Sequence, residues 1–126
     1  MVLTFDPRQA WRNSCGSAAV EFGLVVPILI TLFVGSLYLC MALFVAGSLH
    51  FAVEDAARGA SVNTTTCKDA TTIQSYATTR YFGVGSPTFT YTAATCGNSV
   101  SGTTSYAANL GFKTVTIPIS AAACFP

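Results

Sequence analysis

Apolar residues run almost without interruption from Phe22 to Val53, and nothing between them carries a formal charge if His50 is neutral. Apolar spacing continues into Ala56, Ala57 and Ala60, which predicts one long helix over 17–61. Pro27 lies inside it and removes a backbone donor, so a kink or local loosening near Gly23 is expected. Gly59 and the Asn63-Thr64-Thr65 run weaken the helix and end it near Ser61. The pattern then changes. Asp69 is placed to cap a short helix over 70–82, with Ile73, Tyr76, Ala77 and Tyr81 on its uneven apolar face. Gly83, Gly85 and Pro87 stop that helix. Period-2 alternation marks strands over 88–95 (Phe89, Tyr91, Ala93) and 112–120 (Val115, Ile117, Ile119). Pro118 assigns the second of these to a sheet edge. The Gly/Ser/Thr-rich stretch 96–105 reads as a loop. The expected fold class is α+β, in three parts. Residues 1–16 are a short polar leader, 17–61 the long helix, and 62–126 a small helix-plus-antiparallel-sheet domain leaning on it.

The length of the apolar run sets the broad class. The stretch 22–53 is about 32 residues, roughly 48 Å as a helix, against about 20 residues for a bilayer span and 7 to 15 for a signal-peptide core. It is long enough to cross a membrane and continue beyond it. Arg8 and Arg12 precede the run, which puts the N-terminus in the cytoplasm by the positive-inside rule. Residues 62–126 are then extracytoplasmic. With six Lys+Arg against five Asp+Glu, the chain has no electrostatic case for binding nucleic acid. A lipoprotein signal is disfavoured because Cys15 precedes the apolar run.

That topology places Cys67, Cys96 and Cys124 in a disulfide-permissive space, with Cys15 cytoplasmic and Cys40 in the membrane helix. A Cys67–Cys96 bridge is the favoured pairing, since it staples the start of the outer domain to its middle. Cys124 is an alternative partner for either, or for another chain, and three reduced buried thiols are the bland reading. About 65 residues make too small a core without such help or without packing on the long helix. No Cys/His spacing suggests zinc, and no cofactor is expected.

Two features of the long helix point to assembly. Ala42 and Ala46 form a small-xxx-small pair, and Ser48, Ala52, Ala56 and Ala60 continue as a stripe at four-residue spacing. Small residues let helices approach closely, so the stripe reads either as a seam for partner helices or as an ordinary alanine-rich helix. The second feature is Glu21, a lone carboxylate opening the apolar run five residues after Gly16. A charge at that depth is costly in lipid and usually marks a function. Cleavage between Gly16 and Ser17 would create an ammonium one helical turn from the Glu21 carboxylate, able to neutralise it in the same chain or in a neighbour. Glu54 and Arg58 form an i,i+4 pair, and Glu54 is also within reach of His50. No nucleophile, base and orienter stand together at recognisable spacing, so an enzyme is not expected. The Asn63-Thr64-Thr65 sequon is short enough to occur by chance.

The string Gly16-Ser17-Ala18-Ala19-Val20-Glu21-Phe22 resembles the processing site of type IV prepilin-like proteins. Extended through Gly23, Pro27 and the Glu54-Asp55-Ala56-Ala57-Arg58-Gly59-Ala60 segment, it resembles TadE-like pseudopilins of the tight-adherence (Tad/Flp, type IVc) pilus system over 16–61. The resemblance implies a bacterial inner-membrane protein, cut after Gly16 by a prepilin peptidase whose pocket admits no side chain there. Glu21 would register the mature subunit against the amine of a neighbour. The product would be a minor pseudopilin that initiates or caps an adherence fibre. Its implied partners are the major Flp-type pilin, a second minor pseudopilin, the inner-membrane assembly platform and membrane lipid. Phe22 stands where major pilins of this class carry Tyr, which again implies the minor role. Two other readings compete. One is an unprocessed single-pass anchor presenting a small disulfide-stapled binding or adhesive domain. The other is a secreted domain released near residue 47.

Overall fold

The computed structural model describes residues 15–126 except Phe112. Residues 1–14, including Arg8 and Arg12 and most of the expected leader 1–16, lie outside the described residues, as does the first position of the strand expected from 112. Five elements follow in order: helix α1 (Cys15–Val62), helix α2 (Ala70–Arg80), and strands β1 (Thr88–Ala94), β2 (Gly97–Asn109) and β3 (Thr114–Phe125). The fold class is α+β, and the sheet is antiparallel with order β1-β2-β3.

The chain divides into two compact units, Met1–Leu37 and Tyr38–Pro126. In the first, the described residues are helical, and the side chains described there are exposed except for a half-buried Val26. Phe22, Leu24 and Leu32 are each about 70% exposed (71%, 68% and 71%), which fits a surface made for lipid or for other helices. The helix stays continuous through Pro27, and the Thr31 hydroxyl donates to the Pro27 carbonyl at 2.8 Å. The segment Ala18–Val62 is long and apolar enough to cross a membrane.

The second unit holds the core, and the helix supplies much of it. Val45, Leu49, Ala52, Val53, Ala56 and Ala57 are buried. Against them lie Ile73 and Ala77 of α2, Phe89 of β1, Val100 of β2 and Ala121 of β3. A second cluster joins Ala42 and Val45 to Tyr106 and Ala108. Residues 62–126 therefore do not close a core by themselves. The helical stretch from Tyr38 onward is one wall of the domain, as the small size of the outer segment requires.

The stretch read as a loop over 96–105 is instead the start of β2, the central strand. Its Gly, Ser and Thr content suggested turns, but burial alternates along it, with Val100, Gly102, Thr104, Tyr106 and Ala108 facing inward. The small residues have a steric reason. A Cβ on Gly102 would stand 2.8 Å from Phe89 Cε1 and 3.0 Å from Leu49 Cδ1, so the bare glycine lets helix and sheet approach. Strands β1 and β2 are joined through Thr95 and Cys96, with Ala94 opposite Gly97. Gly97 has φ +119°, and any side chain there would meet the Phe125 carbonyl. Pro118 sits on edge strand β3 opposite Ser105.

Candidate functional site

The helix begins before the candidate cleavage point. Gly16 is exposed inside α1, and a Cβ placed on it would meet nothing within 4 Å. The structure itself leaves room for a larger residue at 16. Glu21 is exposed on the same helix, and its neighbours Val20 and Phe22 are exposed too. The side chain of Ser17 lies outside the described residues.

The small-residue stripe, open to reading as a seam for partner helices or as an ordinary alanine-rich helix, packs largely within the chain itself. Ala42, Ser48, Ala52 and Ala56 are buried beneath the chain's own sheet and short helix, and Ala60 packs on the same core. Ala46 is half-buried. The close approach that small residues permit is spent within the chain. Ser48 adds a polar fastening, since its Oγ accepts from the Phe82 backbone N–H at 2.7 Å. The helix face left uncovered is the opposite one. Leu39, Leu43, Phe44 and Phe51 are exposed there, all at least half (61%, 63%, 52% and 51%).

The segment Glu54-Asp55-Ala56-Ala57-Arg58-Gly59-Ala60 is resolved into roles. Ala56 and Ala57 are buried, and a Cβ on Gly59 would lie 3.4 Å from both Cys67 Sγ and Tyr76 Cε1. Asp55 is the charged partner of α2. Its Oδ2 accepts from Arg80 Nε at 2.9 Å and from the Tyr76 hydroxyl at 3.0 Å. The Arg80 guanidinium also donates to the Tyr76 hydroxyl at 2.9 Å and lies over the same ring, 5.1 Å from its centroid. These contacts, Tyr76 first and Asp55 after it, hold the Arg80 guanidinium above its ordinary range. Among the described residues no ion pair joins Glu54 to Arg58 and no hydrogen bond joins His50 to Glu54. Side chains brought from α2 decide which carboxylate is used, and i,i+4 spacing cannot foresee that.

The disulfide also differs from the favoured pairing. Cys96 is bridged to Cys124, with Cα atoms 6.2 Å apart, and Cys67 is a free buried thiol. Reading β2 as a loop hid the reason. Antiparallel pairing of β3 with β2 places Cys124 opposite Ser99, beside the turn that carries Cys96. Cys67 instead lies in the core among Gly59, Ile73 and Ala77. Burial first, and the Asp55 charge second, push its thiol pKa up. The same corner has a polar knot that sequence reading missed. Asn98 Nδ2 donates to Ser61 Oγ at 2.9 Å, Tyr91 donates to Asn98 Oδ1 at 2.6 Å, and Ser61 Oγ donates to the Phe125 carbonyl at 3.3 Å. It ties the helix end to both hairpins. The Asn63 sequon has a local role, as Asn63 Oδ1 accepts from the Thr65 hydroxyl at 2.7 Å and from the Thr66 N–H at 3.3 Å.

A groove of about 570 Å³ runs between the helix and β3, lined by Phe51, Glu54, Arg58, Ala122, Cys124 and Phe125 among others. Its lining includes no histidine and no free thiol. No group of three or more His, Cys, Asp or Glu among the described residues is arranged to hold a metal ion. No curated protein and no solved structure matches the chain. A family model does match, from the exposed glycine at the start of the helix to the arginine near its end. Residues 16–58, about a third of the chain, match the family described as TadE-like protein, and over that segment the chain is similar to it.

Proposed function

We propose that the protein is a minor pseudopilin of a Tad-type pilus, cut between Gly16 and Ser17 by a prepilin peptidase and used to initiate or cap the fibre. The carrying observation is the TadE-like match, which begins at Gly16 and takes in Glu21 and the whole apolar helix. Exposed apolar side chains support the reading in each unit, Val20 to Leu37 in the first and Leu39, Leu43, Phe44 and Phe51 in the second, since such surfaces suit lipid and then neighbouring subunits. Opening the first turn of α1 is a precondition for cleavage. Gly16 favours that step, since glycine weakens a helix by about 1 kcal/mol relative to alanine. The freed amine of Ser17 then lies one turn from Glu21, and the pair neutralises a charge that is costly in an apolar surround. The N-terminus faces the cytoplasm and the domain the outside, where the Cys96–Cys124 bridge is stable. The major pilin, a second pseudopilin and the assembly platform are the partners in this scheme.

The test is the mass and N-terminal sequence of the protein from its native membrane, taken without reductant. A chain starting at Ser17 with one bridge agrees with the proposal. A chain starting at Met1 in cells that contain the peptidase returns it to an unprocessed anchor. Glu21→Gln should leave insertion intact and abolish piliation, and normal pili in that variant would remove Glu21 from the mechanism.

A further inference from the structure

Strand β3 is an edge of the sheet, and the register fixes which of its backbone groups face outward. The two-residue β1–β2 turn closes on Ala94 and Gly97, a pair that exchanges both hydrogen bonds. Alternation from Gly97 turns the even residues of β2 toward β3, and their partners, the odd residues of β3, back toward β2. The N–H and C=O groups of Ser120, Ala122 and Cys124 therefore point away from the sheet. Pro118 agrees with this parity, since a proline in a strand turns its missing donor outward. Pro118 guards its own end of the edge. From Ile119 to Phe125 the strand has neither proline nor charge. Among the described residues, the hydrogen bonds to this stretch come from β2 and, at the Phe125 carbonyl, from Ser61. An unguarded edge of this kind is a template for an added strand.

The groove of about 570 Å³ lies along the same stretch, with Ala122 and Cys124 on its strand side and Phe51, Glu54 and Arg58 on its helix side. Asp55 also lines it but is held by Arg80, which leaves Glu54 and Arg58 as the groove's charges with no ion-pair partner among the described residues. They stand one helical turn apart, about 6 Å. Alternate residues of a strand are about 6.7 Å apart, so two side chains on one face of an added strand match that spacing. Helix α1 and β3 run in the same direction here, since Leu49 lies at Gly102, opposite Ala121, while Ser61 bonds to Phe125. A strand laid antiparallel on β3, the more stable pairing, meets Arg58 before Glu54.

We propose that the β3 edge from Ser120 to Cys124, with Glu54 and Arg58, is a strand-addition site for an extended segment of a different protein chain. That segment carries an acid and, two residues later, a base on the face turned to α1. A second copy of this chain does not fit the charge pattern, because β1, β2 and β3 contain no charged residue. The Cys96–Cys124 bridge fixes the end of the edge before binding, which lowers the ordering cost. The site does not depend on cleavage after Gly16.

The probe is the fluorescein-labelled peptide Thr-Val-Thr-Asp-Thr-Lys-Thr-Val-Thr, titrated by anisotropy against the full-length protein in neutral detergent. One control peptide has Asp and Lys exchanged. Another is N-methylated at the central threonine, the residue set opposite Ala122. Exposed ion pairs are individually weak, so the exchange should lower affinity about 2- to 30-fold, and less at high salt. N-methylation removes a ladder donor and should lower affinity at least about twofold. Both comparisons leave the protein unaltered. In the protein, Glu54→Arg with Arg58→Glu should reverse the peptide preference, with a protected Cys67 thiol showing that the domain is folded. Equal affinity for the two charge orders, or no reversal in a folded double variant, overturns the charge-matched site. Indifference to N-methylation overturns strand addition. Absence of binding by every peptide at millimolar concentration overturns the whole proposal. Self-association that excludes the peptide assigns the edge to a second copy and overturns the different-chain occupant.

Discussion

Gly102 and Leu49 are a pair whose coupling is set by their separation. Leu49 is fully buried, and truncating a buried leucine to alanine costs about 2–5 kcal/mol through lost transfer energy and the cavity left behind. Gly102→Ala inserts a methyl group 2.8 Å from Phe89 and 3.0 Å from Leu49, and overpacking of that kind costs about 1–3 kcal/mol. The two perturbations are opposite in sign of volume. In the double variant the alanine at 49 vacates space into which Phe89 and the new methyl relax, so the combined cost is smaller than the sum. Residues in contact couple by at least about 0.5 kcal/mol. Cys67 supplies the assay, because its thiol is buried in the same core. In full-length protein held in detergent with Cys15→Ser and Cys40→Ser, its labelling rate under fast reclosing follows the open population. At tenfold per 1.4 kcal/mol, Leu49→Ala raises the rate about 30-fold to several thousand-fold, and Gly102→Ala about 5- to 150-fold. The double variant labels at least about twofold more slowly than the product of the single effects. A product within that margin, or a Gly102→Ala chain that labels no faster than the parent, would refute the claim that this glycine sets the spacing of helix and sheet.

Removing the bridge with Cys124→Ser opens a crosslink of sequence separation 28. With Cys96→Ser added so that Cys67 stays the sole thiol, chain entropy for a loop of that size predicts a loss of about 3–4 kcal/mol, read by the same labelling assay, and a loss below about 1 kcal/mol would show that the unfolded chain is already constrained. Ser48→Ala removes the acceptor of the Phe82 backbone N–H, on a residue that is exposed, and should cost about 0.5–1.5 kcal/mol, the net worth of one hydrogen bond. Ser48→Thr, which keeps an acceptor, should recover part of it, and equal losses in the two variants would point to packing instead. The raised Cys67 pKa makes stability pH-dependent on the alkaline side. The thiol is neutral in both states below its ordinary range, so stability is intact there. As pH rises through that range the unfolded state ionises first and binds fewer protons, so stability falls. Cys67→Ala should abolish that alkaline decline, and an unchanged slope would assign it to other groups.

The sequence by itself determined what depends on length and local order. A helix of this size and hydropathy is specified wherever it is placed, and so is the spacing of Gly16 and Glu21, which is a matter of covalent sequence and one helical turn. The short helix after Asp69 and the strand around Phe89 were legible for the same reason, since caps and period-2 alternation are local signals. Tertiary structure decided the rest. Burial alternation along β2 is carried by Gly102, Thr104 and Ala108, residues too small or too polar to signal a strand until helix and sheet are brought together around them. Asp55 was chosen over Glu54 only when α2 delivered Arg80 and Tyr76. Cys124 was chosen over Cys67 only when β3 paired with β2 along its length. The alanine stripe shows the division most plainly. Its spacing guaranteed a close approach on one helix face, but which partner fills that face depends on which surface can reach it. Here the chain's own sheet, tethered a few turns away, reached it first.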